Sequence, residues 1–195
     1  MNSVISIPQF PSATQWNESC RAIAYGRFWT IFLVCVGSIS NLVYTCTLPF
    51  ACLGVIAGMT LPRRRAIAAA FLIWTANQAC GFTIHNYPHT LSCYAWGIVL
   101  LMGTLLITYL ANQKPIFTNG AIVPHYLRLG GWLIGGFILF QLVILFAGMA
   151  LSTSPTAPDV LWQILAGNSL WTAGLTLAHG FLVWDRTSQF QTNQI

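Results

Sequence analysis

The sequence predicts an all-α fold, a polytopic transmembrane helical bundle, and three observations predict it. Charged residues make up only 6% of the 195 residues, where a soluble domain carries about 25%. Hydrophobic residues make up 56%, and the mean hydropathy is +0.68. The acids are Glu18, Asp159 and Asp185, and the bases are Arg21, Arg27, Arg63, Arg64, Arg65, Lys114, Arg128 and Arg186. All of them fall between long apolar runs, so they mark where the chain leaves the bilayer.

Residues 1–18 read as a polar N-terminal segment, 19–186 as the transmembrane helical domain and 187–195 as a polar C-terminal tail. Both polar ends are expected to be poorly ordered. No cleavable signal peptide is expected, because Met1–Asn17 lacks a basic n-region. The uncharged stretch between Arg27 and Arg63 allows one long helix kinked near Pro49, or two short helices turning near Ser38–Asn41. Four clear spans follow, at about 20 residues each: Ala66–Ile84, Leu91–Ala111, Leu129–Leu151 and Val160–Trp184. Their connections carry Pro88, then Pro115 and Pro124, then Pro155 and Pro158.

Lys and Arg accumulate on the cytoplasmic side. With Arg63–Arg65 inside, the loop around Lys114 and Arg128 is also inside, and so is Arg186. His85–Thr90 and the base-free Ser152–Asp159 are then outside. A hairpin between Arg27 and Arg63 keeps Arg21 and Arg27 inside as well. Six spans with both termini cytoplasmic are therefore expected, the first starting near Cys20, with five spans as the alternative. The expected location is a cell membrane, the bacterial inner membrane.

Polar side chains inside spans are costly and face the bundle interior or a cavity. Asn77, Gly81 and His85 repeat every four residues and share one helix face, with Gln78 beside them. Asn41 and Thr45 form a second stripe, and Asn168, Thr172, Thr176 and His179 a third. The expected topology puts Asn41, Asn77, Gln78, His85 and Asn168 in the outer half of the membrane. Convergent amides and an imidazole without charge describe a pocket for a small neutral solute.

Other chemistry is disfavoured, and no enzyme is expected. No acid lies within a span, so paired-carboxylate catalysis has no residues to use. His85 and His89 have ligand spacing, but Pro88 interrupts the helix, and no metal or other cofactor is expected. Cys20, Cys35, Cys46, Cys52, Cys80 and Cys93 form no C-x-x-C motif. Three arginines between two spans are too small a patch for nucleic acid. Gly54-x-x-x-Gly58, Gly131-x-x-x-Gly135 and Ala66-x-x-x-Ala70 allow close helix approach. For the two glycine pairs, packing within the chain is the expectation. Ala66 and Ala70, directly after the arginines, are the candidate docking face for membrane partner subunits.

This layout resembles the substrate-binding S-components of energy-coupling-factor vitamin transporters along the whole chain. The shared features are architectural: a small six-helix protein, termini inside, an outward pocket and small-residue helix motifs. Where that family carries an alanine motif on its first helix, this sequence has Ala22-x-x-x-Gly26. The resemblance implies capture of a vitamin-like solute in a transport assembly whose other subunits hydrolyse ATP. It transfers no binding residue, because no substrate motif matches. The rival expectation is a non-transporting assembly factor or a structural subunit of a respiratory or photosynthetic complex.

Overall fold

The computed structural model describes residues 13–43, 49–113, 115, 122–151 and 158–192. Among them are seven helices and no strand: α1 (Ala13–Tyr25), α2 (Arg27–Val43), α3 (Phe50–Thr60), α4 (Arg63–Thr83), α5 (Leu91–Ala111), α6 (Ile122–Ala150) and α7 (Pro158–Thr192). By length and apolar composition, α4, α5 and the His125–Ala150 part of α6 can cross a membrane. A fourth span results if α1 and α2, bent by 61° at Gly26, count as one.

That number is below the six expected, for reasons visible in each remaining helix. α1 is short and carries Glu18 and Arg21. α3 has 11 residues, which at 1.5 Å per residue span about 16 Å of a core about 30 Å thick. α7 has 35 residues but interleaves Gln163, Asn168, Thr172 and His179 with its apolar positions.

Two sets of bonds orient the helices. At one end, Arg65 at the start of α4 donates from Nη1 to the carbonyls of Tyr25 (2.6 Å) and Gly26 (2.7 Å), where α1 turns into α2. At the other end, α2 and α4 meet again through Asn41, Asn77 and His85. The two helices therefore run parallel, and α3 returns between them. Arg63 stacks 4.4 Å from the Tyr109 ring centroid, so α5 ends where α4 begins. The arginine cluster, read from sequence as a marker of sidedness, thus also closes the α1–α2 elbow and anchors the end of α5.

α3 is the centre of the core, with every one of its residues buried. Gly54 and Gly58 let it press against α5. A Cβ on Gly58 would lie 2.6 Å from the Thr108 carbonyl oxygen and 2.9 Å from the Ala111 Cβ. The Gly54–Gly58 motif is therefore consumed inside the chain. A buried short helix must also satisfy its end groups without water. Pro49 supplies no side-chain cap. Asn168 of α7 does so instead, its Oδ1 accepting from the Cys52 N–H at 2.9 Å. At the other end, Asn112 after α5 donates to the carbonyls of Gly58 (2.7 Å) and Leu61 (2.8 Å). Trp29 of α2 donates to Thr60 Oγ1 at 2.8 Å.

Three local expectations are corrected. α2 does not turn at Ser38–Asn41 but continues to Val43. Ser40 Oγ and Asn41 Nδ2 bond back to the Gly37 carbonyl one turn earlier, so the helix absorbs its polar residues. The expected polar tail from Thr187 is helical to Thr192, and Thr187 is buried, donating to the Val183 carbonyl at 2.7 Å with its Oγ1 2.9 Å from Ser19 Oγ of α1. The polar N-terminal segment contributes helix from Ala13 onward, with Trp16 buried. Residues 1–12, Thr45 and Cys46 lie outside the described residues.

Candidate functional site

α4 supplies two of the expected site residues, Asn77 and Gln78, and His85 follows two residues past its end at Thr83. Asn77 is buried and its Nδ2 donates to Asn41 Oδ1 of α2 at 2.8 Å. Gln78 Nε2 donates to Asn77 Oδ1 at 3.1 Å. Asn41 Nδ2 ends the series on the Gly37 and Ser38 carbonyls, 3.1 Å from each. His85 Nε2 lies 3.0 Å from the Asn41 carbonyl oxygen. A carbonyl only accepts, so Nε2 carries a proton and donates. Four of the five residues thus join in one directional relay, each amide donating to the next toward α2.

Asn168 does not join it. Its Oδ1 goes to the Cys52 N–H and its Nδ2 to the Ile164 carbonyl at 2.9 Å. Thr172 in turn donates to the Asn168 carbonyl at 2.8 Å. That side chain holds α3, and its bonds lie within α3 and α7.

The relay has a buried end and a half-buried end. Asn41 and Asn77 are buried, while Gln78 and His85 keep part of their surface. Trp74, one turn before Gln78, donates from Nε1 to the Gly97 carbonyl of α5 at 2.7 Å. The Gln78 carboxamide packs over the same glycine, occupying the space a Cβ would take. Beyond them, the α4–α5 loop stacks its rings. Phe82 lies 5.1 Å from His89 and 5.0 Å from Tyr94 by ring centroid, and His89 Nδ1 is 2.8 Å from the Tyr94 hydroxyl. Tyr87 packs on Gly81 and stacks on His85 at 6.1 Å. Asn86 takes a left-handed φ of 51° to turn the loop back onto α4.

No family model, curated protein or solved structure matches this chain. The site is therefore read from its own geometry. Among the described residues no three His, Cys, Asp or Glu side chains gather as metal ligands. What the arrangement offers is uncharged hydrogen bonding beside aromatic surface.

The candidate docking alanines are inside the molecule: Ala66 is 0% and Ala70 2% exposed. The open small residues lie on α6 and α7. Among the described residues nothing stands within 4 Å of the Cβ positions of Gly131, Gly135, Gly167 and Gly174. Sequence reading missed Gly97 and Asn112. Gly97 had no partner glycine to form a motif, and Asn112 follows an apolar run where asparagine reads as loop.

Proposed function

We propose that this chain binds or translocates a small neutral solute, vitamin-like in size, as a subunit of a membrane transport assembly. The supporting observation is the relay from Gln78 through Asn77 to Asn41, joined by His85 and half-buried at one end. Uncharged amides held in fixed orientation beside aromatic rings suit a neutral polar molecule and disfavour ions. In this reading the chain crosses a bacterial inner membrane six times, with α2 to α7 as the passes and α1 along the cytoplasmic surface. The short buried α3 then counts as a pass because neighbouring helices shield its ends from lipid. Both termini are cytoplasmic, on the side where Arg63–Arg65 close the α1–α2 elbow. The likeness to energy-coupling-factor S-components belongs to the same proposal and rests on this layout.

The test is native mass spectrometry of the protein purified gently from its host membrane. The wild type is expected to retain a small molecule that Asn77→Ala loses while remaining monodisperse. A wild-type protein free of solute, or a solute held equally by Asn77→Ala, counts against the reading.

A second reading is favoured by the open glycines on α6 and α7, which suit close approach of another transmembrane helix. It makes the chain a non-transporting assembly factor or structural subunit of a larger membrane complex. Co-purification of a redox or photosynthetic complex, without any solute, would select it.

A further inference from the structure

We infer that the α1–α2 elbow, through Arg27 and Arg64, holds the headgroup phosphates of anionic phospholipids, whose acyl chains lie along exposed apolar stripes of α2 and α4. The inference is independent of the solute site and rests on the membrane reading above, with the arginine end at the cytoplasmic leaflet. It follows from what the arginines at that end are committed to. Arg65 is committed to the Tyr25 and Gly26 carbonyls. Arg63 lies over the Tyr109 ring. Arg27 and Arg64 are exposed, and among the described residues neither has a hydrogen bond or a carboxylate partner. The 2.7 Å bond from Arg65 to Gly26 brings their chain neighbours, Arg64 and Arg27, to the same elbow. The acids at this end do not offset them: Glu18 is exposed on α1 and pairs with neither, and Asp185 accepts from Gln189 on α7.

Guanidinium groups free of a carboxylate match phosphate oxygens in pairs. Both α2 and α4 also begin at this end, so their dipoles add to the positive potential. The surroundings select a lipid over a free phosphate. Arg27 precedes Ile31 by four residues on α2, and Arg64 precedes Ala68 and Leu72 by four and eight on α4, so each arginine stands at the foot of an apolar stripe. On α2, Phe28, Ile31 and Ile39 are 64%, 58% and 62% exposed, and on α4 Leu72 is 50% exposed. Tyr25, exposed at the bend, is a residue type of the membrane–water interface. A basic group at that depth, directly below surface that only hydrocarbon can cover, meets the headgroups of the leaflet.

The experiment titrates the full chain, delipidated in a non-ionic detergent, with phosphatidylglycerol or with phosphatidylcholine of the same acyl chains, and counts bound lipid by native mass spectrometry. The wild type is expected to prefer phosphatidylglycerol by about 25-fold, about fivefold for each arginine, and to lose the preference at high salt. Arg27→Gln combined with Arg64→Gln is expected to remove it. Arg27→Lys combined with Arg64→Lys keeps the charge and is expected to keep most of it. Glycerol phosphate, the same headgroup without chains, is expected not to compete. Equal binding of the two lipids, a preference that survives the glutamine pair, or a loss in the lysine pair as large as in the glutamine pair overturns the inference. Displacement of the lipid by equimolar glycerol phosphate overturns the choice of lipid over free phosphate. If the glutamine pair fails to fold, the wild-type comparison of the two lipids at low and high salt decides alone. A solute retained without lipid preference defeats this inference and leaves the solute site. Lipid preference without a retained solute supports this inference and counts against the solute reading.

Discussion

Two helices with the same small-residue motif sit in opposite surroundings. On α3, Gly54 and Gly58 face α5 so closely that a Cβ on Gly58 would meet the Thr108 backbone at 2.6 Å. On α6, Gly131 and Gly135 face nothing within 4 Å among the described residues. α3 is buried along its whole length, whereas only 11% of the apolar window of α6 is buried. A G-x-x-x-G pair therefore states that a backbone can be approached, and the surrounding fold decides what approaches it. The two helices also differ in their ends. α3 borrows end groups from distant asparagines, because each unsatisfied buried backbone group is costly.

This contrast is open to direct attack. The largest expected effect is from Gly58→Leu, which forces α3 away from the α5 backbone and should cost about 3 kcal/mol or prevent folding. Gly131→Leu should leave the thermal unfolding midpoint in detergent within error. Equal shifts for the two would erase the distinction between the helices. Asn168→Ala comes next, because it leaves the Cys52 N–H unsatisfied in the core, at about 1–3 kcal/mol by the same thermal measurement. Stability unchanged in that variant would mean that α3 is not held from α7.

Asn112→Ala is expected to cost less, about 1 kcal/mol, because under-satisfied carbonyls are better tolerated than orphaned N–H groups. A cost above that of Asn168→Ala would reverse the assigned importance of the two ends. Asn77→Ala should be the mildest of the core substitutions, near 0.6 kcal/mol for an interhelical amide bond in a membrane protein. Its larger consequence is expected in solute retention. A stability loss of several kcal/mol with unchanged retention would make the relay structural. On the open side, Gly135→Leu should leave the isolated chain unaltered and lower recovery of any membrane partner in a pull-down. Identical recovery would assign that face of α6 to lipid.

Much of the candidate site was legible because helical periodicity is a local property. Asn77 and Gly81 share a face wherever α4 is placed, His85 follows just past its end, and depth along parallel helices brought Asn41 to the same level. Asn168 lies at the end of the same logic and fails it. Equal depth does not specify azimuth, and α7 turns this residue toward α3. The alanines at 66 and 70 are buried for a related reason, since small residues at a helix start serve inner and outer packing alike. The turn expected at Ser38–Asn41 was misplaced because serine and asparagine can bond back to their own helix, and here they do.

Composition and charge spacing by themselves determined a helical chain with segments apolar enough to cross a membrane. Those properties follow from the cost of exposing backbone or charge to hydrocarbon, which acts residue by residue. The tertiary structure alone decided that an 11-residue helix occupies the centre of the core. It alone decided that Asn168 and Asn112 cap that helix, and that one glycine pair is consumed while another stays open. These depend on which distant surfaces meet, and an apolar run carries no record of its neighbours.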